Sequence, residues 1–102
     1  MRVAINGFGR IGRAVFRIAE LRQDIEIVAI NDLCDHEALR YLLSYDTVMG
    51  KFEPDVSIKG SELVTPNTRA HMFKERDPKL LPWSALEIDA VVESTGVFRT
   101  RE

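Results

Sequence analysis

Apolar residues form short runs near the start of the chain, with an amphipathic stretch between them. The segments RVAIN (residues 2–6) and EIVAIN (residues 26–31) lack the strict alternation of a strand that has one face in solvent. Such runs are typical of strands buried on both faces of a sheet. Between them, over residues 10–22, apolar positions recur at steps of three and four, which predicts a helix packed on the sheet. The order strand, helix, strand predicts a parallel, right-handed βαβ unit.

The periodicity of this helix also predicts which of its sides contacts the sheet. The apolar side consists of Ile11, Ala14, Val15, Ile18 and Leu21. Arg13, Arg17 and Glu20 fall on the other side. We therefore expect these charged residues to lie on a solvated face.

The rest of the chain predicts one further helix, a meander and one further strand. Asp35 is placed to cap a helix that runs to about Tyr45. Between Phe52 and Phe73, short apolar segments alternate with polar turns, which predicts a small antiparallel meander. Residues 88–93 (IDAVVE) predict another buried strand, followed at 99–102 by the beginning of a further element.

Length and charge narrow the class of protein. A chain of 102 residues is long enough for one domain. Its 14 basic and 16 acidic residues give a net charge of −2, which offers no bulk electrostatic attraction for nucleic acid or an anionic membrane. No apolar run approaches the ~20 residues of a membrane span, and no signal peptide is recognisable. We therefore expect a cytoplasmic protein with neither kind of partner.

A glycine-rich motif lies between the first predicted strand and the helix. Residues 7–12 (GFGRIG) match G-x-G-x-x-G, in which Gly7 permits a tight turn, Gly9 lets a pyrophosphate approach the backbone, and Gly12 lets helix and strand pack closely. Asp32 follows Gly12 by about 20 residues, at the end of the second strand, where a carboxylate can accept both hydroxyls of an adenosine ribose. The alternative is that the glycines and the aspartate serve folding alone, but their order along the chain favours a dinucleotide site.

Several segments are more specific than this motif and resemble the phosphorylating glyceraldehyde-3-phosphate dehydrogenases. They are AINGFGRIGR (4–13), VAIND (28–32), YDT with GKF (45–52), ERDP (75–78) and VVESTGVF (91–98). The resemblance spans the chain and implies an α/β fold with a Rossmann-type, doubly wound, mostly parallel sheet. In that fold the parallel strands lie in the order third, second, first, fourth. The chain would supply an incomplete sheet, with the antiparallel meander inserted between the second and third parallel strands.

The resemblance also implies NAD as the cofactor and assigns residues to it. Backbone amides of Arg10 and Ile11 would meet the pyrophosphate, Asp32 would hold the adenosine ribose with Asn31 beside it, and Arg76 would border the adenine. Thr95, Gly96 and Phe98 would lie near the nicotinamide half. The cofactor-binding set is therefore Gly7, Gly9, Arg10, Ile11, Gly12, Asn31, Asp32, Arg76, Thr95, Gly96 and Phe98. We expect no metal site.

The family's catalytic cysteine and histidine motifs are not found in this sequence. Cys34 follows the ribose-binding aspartate and is not a substitute, so no catalytic residue is assigned. The resemblance implies that residues 1–102 are the amino-terminal part of the NAD-binding domain, without the catalytic domain and inactive alone. The full-length enzyme would be a cytoplasmic homotetramer of glycolysis that oxidises and phosphorylates glyceraldehyde 3-phosphate. The alternatives are a stand-alone dinucleotide-binding module or subunit, and the related erythrose-4-phosphate dehydrogenase.

Overall fold

The computed structural model describes residues 1–46, 50–52, 54–77 and 80–94, which form two helices and two sheets. In chain order the elements are β1 (Arg2–Asn6), α1 (Arg10–Glu20), β2 (Glu26–Asn31), α2 (His36–Ser44), β3 (Tyr45–Asp46), β4 (Gly50–Lys51), β5 (Ser57–Lys59), β6 (Glu62–Val64), β7 (Arg69–Phe73) and β8 (Ala90–Glu93). The predicted strand, helix, strand unit at the start of the chain is confirmed. Asp35 caps α2 by accepting hydrogen bonds from the amides of Glu37 and Ala38.

The larger sheet has six strands in the order β5-β6-β7-β2-β1-β8. β7, β2, β1 and β8 are parallel, in the predicted order third, second, first, fourth. β5 and β6 pair antiparallel with each other, and β6 pairs antiparallel with β7. The predicted fold class, with a meander between the second and third parallel strands, is confirmed.

A two-stranded ribbon after α2 was not predicted. The helix ends at Ser44, and Tyr45–Asp46 pairs antiparallel with Gly50–Lys51. Strands of two residues are too short to show a period, so the sequence pattern contains no signal for them.

The side of α1 that faces the sheet differs from the prediction, which was wrong. Ile11, Ile18 and Leu21 are exposed, Leu21 by 82% of its surface, whereas Phe16 and Ala19 are buried. Gly12, Phe16 and Ala19 share one side of the helix, and Gly12 brings the helix backbone against β1. The absence of a side chain at Gly12 therefore determines how the helix docks.

Two aromatic contacts connect the glycine-rich turn to the smaller sheet. The rings of Phe8 and Phe16 meet edge to face with centroids 5.9 Å apart, and Phe16 meets Phe52 in the same way at 6.4 Å. All three side chains are buried. This cluster holds α1 between the turn that begins it and the segment that follows β4.

The three charged residues expected on a solvated face instead make tertiary contacts. Arg13 is buried and donates from Nη1 to the carbonyl of Phe8 at 2.9 Å. Arg17 donates from Nη2 to the carbonyls of Leu43 and Gly50, with its guanidinium 5.1 Å from the ring centroid of Phe52.

Glu20, only 2% exposed, joins the end of α1 to the turn between β6 and β7. Its carboxylate accepts hydrogen bonds from the hydroxyls of Thr65 and Thr68 and from the amide of Asn67. A buried carboxylate is stable in a protein when it is satisfied in this way.

Candidate functional site

The turn between β1 and α1 exposes the first amides of the helix. Gly7 has φ of 89°, a left-handed conformation that favours glycine, and its amide donates to the carbonyl of Asn31 at 2.7 Å. Gly9 is the N-cap, and no N-cap side chain accepts a hydrogen bond from the first helix amides. The first amides of a helix have no intrahelical acceptor and lie at the positive end of its dipole. The turn is therefore suited to bind an anion beside Arg10 and Ile11.

Gly12 lies so close to its surroundings that no larger residue fits without displacement. A Cβ atom there would lie 2.8 Å from the carbonyl oxygen of Gly7, from Cγ2 of Ile5 and from Oγ of Ser94. A Cβ at Gly9 would lie 3.2 Å from the carbonyl oxygen of Ser94. The structure therefore supports the close-packing role predicted for Gly12.

Ser94, just after β8, is a site residue that the sequence analysis missed. Its hydroxyl donates to the carbonyl of Gly7, and its amide donates to the carbonyl of Asn6 at 2.9 Å. The parallel register pairs Asn6 with Glu93, so the next residues of both strands meet at the same edge of the sheet. This register is the signal that identifies Ser94, and it requires knowing that β8 lies beside β1.

Asp32 is linked directly to the glycine-rich turn. One oxygen of its carboxylate accepts the amide of Phe8 at 2.7 Å, and the other accepts the amide of Cys34 at 2.8 Å. The Asp32 side chain is half-buried at the end of β2. Each carboxylate oxygen has two acceptor positions, so capacity remains for the two hydroxyls of a ribose. The structure thus brings Asp32 together with Gly7, Gly9, Arg10, Ile11 and Gly12.

The side chain of Asn31, at the end of β2, makes its hydrogen bonds within the protein. Its amide nitrogen donates to Oδ1 of Asn6 and to the carbonyl of Glu75, both at 2.9 Å, and its own Oδ1 accepts the amide of Glu75 at 2.8 Å. Asn31 is 5% exposed and therefore supports the site from below. A direct contact between Asn31 and the cofactor stays a prediction.

Four predicted site residues remain, namely Arg76, Thr95, Gly96 and Phe98. Arg76 is exposed and follows Glu75, the residue held by Asn31. Thr95, Gly96 and Phe98 lie outside the described residues.

Comparison with known proteins identifies the family. The family described as "Glyceraldehyde 3-phosphate dehydrogenase, NAD binding domain" matches residues 1–101. The chain belongs to this family. The resemblance found in the sequence is confirmed, and the cofactor of this glyceraldehyde 3-phosphate dehydrogenase domain is NAD. The glycine-rich turn between β1 and α1 and the half-buried carboxylate of Asp32 fit a dinucleotide.

Similar glyceraldehyde-3-phosphate dehydrogenases come from bacteria and a trypanosome. The chain is 52% identical over 98 residues to the cytosolic enzyme of Trypanosoma brucei brucei, covering 96% of the chain and 30% of that relative. It is 49% identical over 102 residues to the Salmonella typhimurium enzyme and 48% identical over 102 residues to enzyme A of Escherichia coli K12. Both alignments cover 100% of the chain and 31% of the relative. The chain therefore spans about 30% of the length of these relatives.

Neither a metal centre nor a membrane span was found in the part of the chain that the structure describes. Its His, Cys, Asp and Glu side chains include no group of three arranged to hold a metal ion. Its helices are all too short or too polar to cross a bilayer.

Cys34 reports on the charge of Asp32. A hydrogen bond with the Asp32 carboxylate and the negative charge of that group raise the pKa of the exposed Cys34 thiol. We expect Asp32→Asn to lower this pKa and so to increase the thiolate fraction at pH values near 8. The measurement is the rate at which iodoacetamide alkylates Cys34, followed by mass spectrometry of the peptide that contains it.

Asp35→Asn is the matched control for this experiment. Asp35 caps α2, and asparagine caps helices equally well, so this variant removes a neighbouring charge without disturbing the helix. Alkylation should accelerate much less in Asp35→Asn than in Asp32→Asn, because Asp32 is the main cause of the raised Cys34 pKa. Equal rates in Asp32→Asn and the unsubstituted protein would contradict the assignment.

Proposed function

We propose that residues 1–102 form the amino-terminal part of the NAD-binding domain of a dehydrogenase that oxidises and phosphorylates glyceraldehyde 3-phosphate. The observation that carries the cofactor-binding part of this proposal is the hydrogen bond of 2.7 Å between the Phe8 amide and the Asp32 carboxylate. It joins the anion-binding turn to a ribose acceptor at the carboxyl edge of the sheet, where open α/β sheets bind their ligands. Membership in the family and the 30% coverage of a relative support it further.

In this proposal the chain binds and orients the cofactor along the carboxyl ends of β7, β2, β1 and β8. The amides of Arg10 and Ile11 bind the pyrophosphate with help from the helix dipole. Asp32 accepts hydrogen bonds from the adenosine ribose, and Arg76 borders the adenine. Thr95, Gly96 and Phe98 are proposed to follow the dinucleotide toward its nicotinamide. Bound NAD supplies the hydride acceptor for aldehyde oxidation.

The nucleophile of the reaction is proposed to lie in a catalytic domain outside this chain. Cys34 does not suit that role, because its backbone amide donates to Asp32, the group assigned to the adenosine end of the cofactor. A raised thiol pKa is also the opposite of what an attacking thiolate requires. We further propose that the complete enzyme is a cytoplasmic homotetramer.

The decisive experiment measures NADH formation by the full polypeptide that contains this chain. With glyceraldehyde 3-phosphate, phosphate and NAD we expect turnover that disappears when phosphate is omitted, and none from residues 1–102 alone. A parallel assay with erythrose 4-phosphate tests the related dehydrogenase. NAD binding without turnover on either aldehyde would contradict the proposal and favour a stand-alone dinucleotide-binding module.

A further inference from the structure

A row of polar groups crosses the carboxyl ends of three neighbouring strands. Oε1 of Glu93 in β8 accepts from Nδ2 of Asn6 in β1 at 3.1 Å. Oδ1 of Asn6 accepts from Nδ2 of Asn31 in β2 at 2.9 Å, and Asn31 holds both backbone groups of Glu75. We call this row, from the Glu93 carboxylate through the two asparagines to the Glu75 backbone, the Asn6–Asn31 relay.

The backbone of Glu75 fixes the orientation of every amide in the relay. Its amide requires an acceptor and its carbonyl requires a donor, so the Asn31 side chain has only one orientation that satisfies both. Asn31 then presents a donor to Asn6, which must answer with Oδ1 and turns its own nitrogen toward Glu93. The relay therefore needs an acceptor at position 93. Asn6 and Asn31 are 7% and 5% exposed, so water is a poor substitute for a lost partner.

The residues of the relay precede or contact residues in both halves of the candidate site. Asn31 precedes Asp32, and Glu75 precedes Arg76, so one end of the relay supports the residues assigned to the adenosine half. Glu93 precedes Ser94, whose hydroxyl donates to Gly7 of the anion-binding turn. The two ends belong to segments that are far apart in sequence but share one hydrogen-bonded network.

We propose that Glu93 and Asn6 are positioning residues for the adenosine half of the dinucleotide and act through Asn31 on the backbone of Glu75. This inference rests on the proposed function, because it assumes a dinucleotide along this edge. It assigns an effect on adenosine binding to Glu93, which lies on the edge strand β8, two strands away from β2. A residue that served only to pair β8 with β1 would have no such effect.

Two substitutions at the same position separate the acceptor from the rest of the side chain. Glu93→Gln keeps an acceptor oxygen for Asn6, whereas Glu93→Met has a similar length and only a weak thioether acceptor. In the full polypeptide we expect Glu93→Met to weaken ADP-ribose binding by up to about five- to tenfold, the value reached if the whole contribution of one buried hydrogen bond is needed to order the Glu75 backbone for the ligand. Glu93→Gln should restore most of this affinity. Glu26→Met, at the exposed start of β2 and outside the relay, is the control and should bind as the unsubstituted protein does.

Hydrogen exchange at the Glu75 amide provides a measurement that does not depend on any ligand. This amide donates to Asn31, so loosening the relay should accelerate its exchange in Glu93→Met but not in Glu93→Gln or Glu26→Met. If Glu93→Met does not fold, Glu93→Asp takes its place, because the shorter carboxylate withdraws the acceptor while keeping the charge. Its expected effects on affinity and exchange have the same direction.

The outcomes distinguish this inference from the proposed function. Unsubstituted protein that binds no ADP-ribose and no NAD would overturn the proposed function and the relay's role with it. Normal binding by the unsubstituted protein, with equal affinity and equal Glu75 exchange in the Glu93 variants, would overturn the relay alone. Loss of affinity in Glu93→Gln as large as in Glu93→Met would also overturn it, because the acceptor would then not be the feature that matters.

Discussion

Asp32→Gly should reduce the preference of the full polypeptide for NAD over NADP by about 100-fold, equivalent to ~3 kcal/mol. The 2′-phosphate of NADP would lie against the Asp32 carboxylate, and neighbouring Leu33 offers no compensating cation. The substitution also releases the amides of Phe8 and Cys34, which now donate to this carboxylate. Freed amides of this kind are suitable donors for a phosphate. Titration with both dinucleotides, at one fixed salt concentration, measures the change.

Asp32→Asn is the control that separates charge from hydrogen bonding. It keeps one acceptor oxygen but removes the negative charge, so its preference should fall between those of the unsubstituted protein and Asp32→Gly. NADP affinity equal to or tighter than NAD affinity in the unsubstituted protein would show that Asp32 does not select the cofactor. Lys74 and Arg76 are two candidate cations on this side, and Lys74 acts electrostatically on the neighbouring Cys34. Lys74→Ala and Arg76→Ala therefore test whether either cation moderates the selection.

Gly12→Ala should lower the free energy of unfolding by roughly 3 kcal/mol, the upper part of the range for overpacked positions. The added methyl would meet the Gly7 carbonyl, the Ile5 side chain and the Ser94 hydroxyl at 2.8 Å each. Alanine favours a helix over glycine by about 1 kcal/mol, so the net loss would show that packing outweighs helix propensity. The measurement is chemical denaturation of the full polypeptide, followed by a spectroscopic signal that comes from this domain.

Gly60 provides the comparison for this substitution. It has φ of 63° with open space around it, so Gly60→Ala should cost only about 1 kcal/mol through its backbone conformation. Gly60→Asn should be close to neutral, because asparagine tolerates this region. If Gly12→Ala were no more destabilising than Gly60→Ala, the close approach of α1 to β1 would not be the critical contact.

The sequence predicted the parts of the fold whose signals lie within one segment. β1 and β2 are buried on both faces and therefore appear as continuous apolar runs. The docking face of α1 was predicted wrongly because the helix has apolar side chains on two sides, among them Ile11 and Ile18 on one and Phe16 and Ala19 on the other. Gly12, which decides between the two sides, has no side chain for the periodicity to count. Glu20 and Arg17 were assigned to solvent because the partners that satisfy them come from other parts of the fold.

The residues of the candidate site also divide into those that local spacing predicts and those that depend on how distant strands pair. The glycine motif and Asp32 are recognisable because their spacing along the chain follows from the βαβ unit. Ser94 and the side-chain role of Asn6 depend on β8 lying beside β1, 87 positions away in sequence for the Asn6 to Glu93 bond. The resemblance predicts that the fourth parallel strand lies beside the first, but no local pattern contains the register, so only the folded structure reveals these residues.

Through the contacts of Glu20, α1 also stabilises the pairing register of β6 and β7. Thr65 and Thr68 close the two-residue loop between β6 and β7, and both hydroxyls reach Glu20 in the observed register. A slip of one residue would turn each strand's side chains to the opposite face and remove these donors from a buried carboxylate. The last turn of α1 therefore stabilises the register of the β6–β7 hairpin. The first turn of the same helix presents its amides to the anion site, so one element supports both the meander and the cofactor turn.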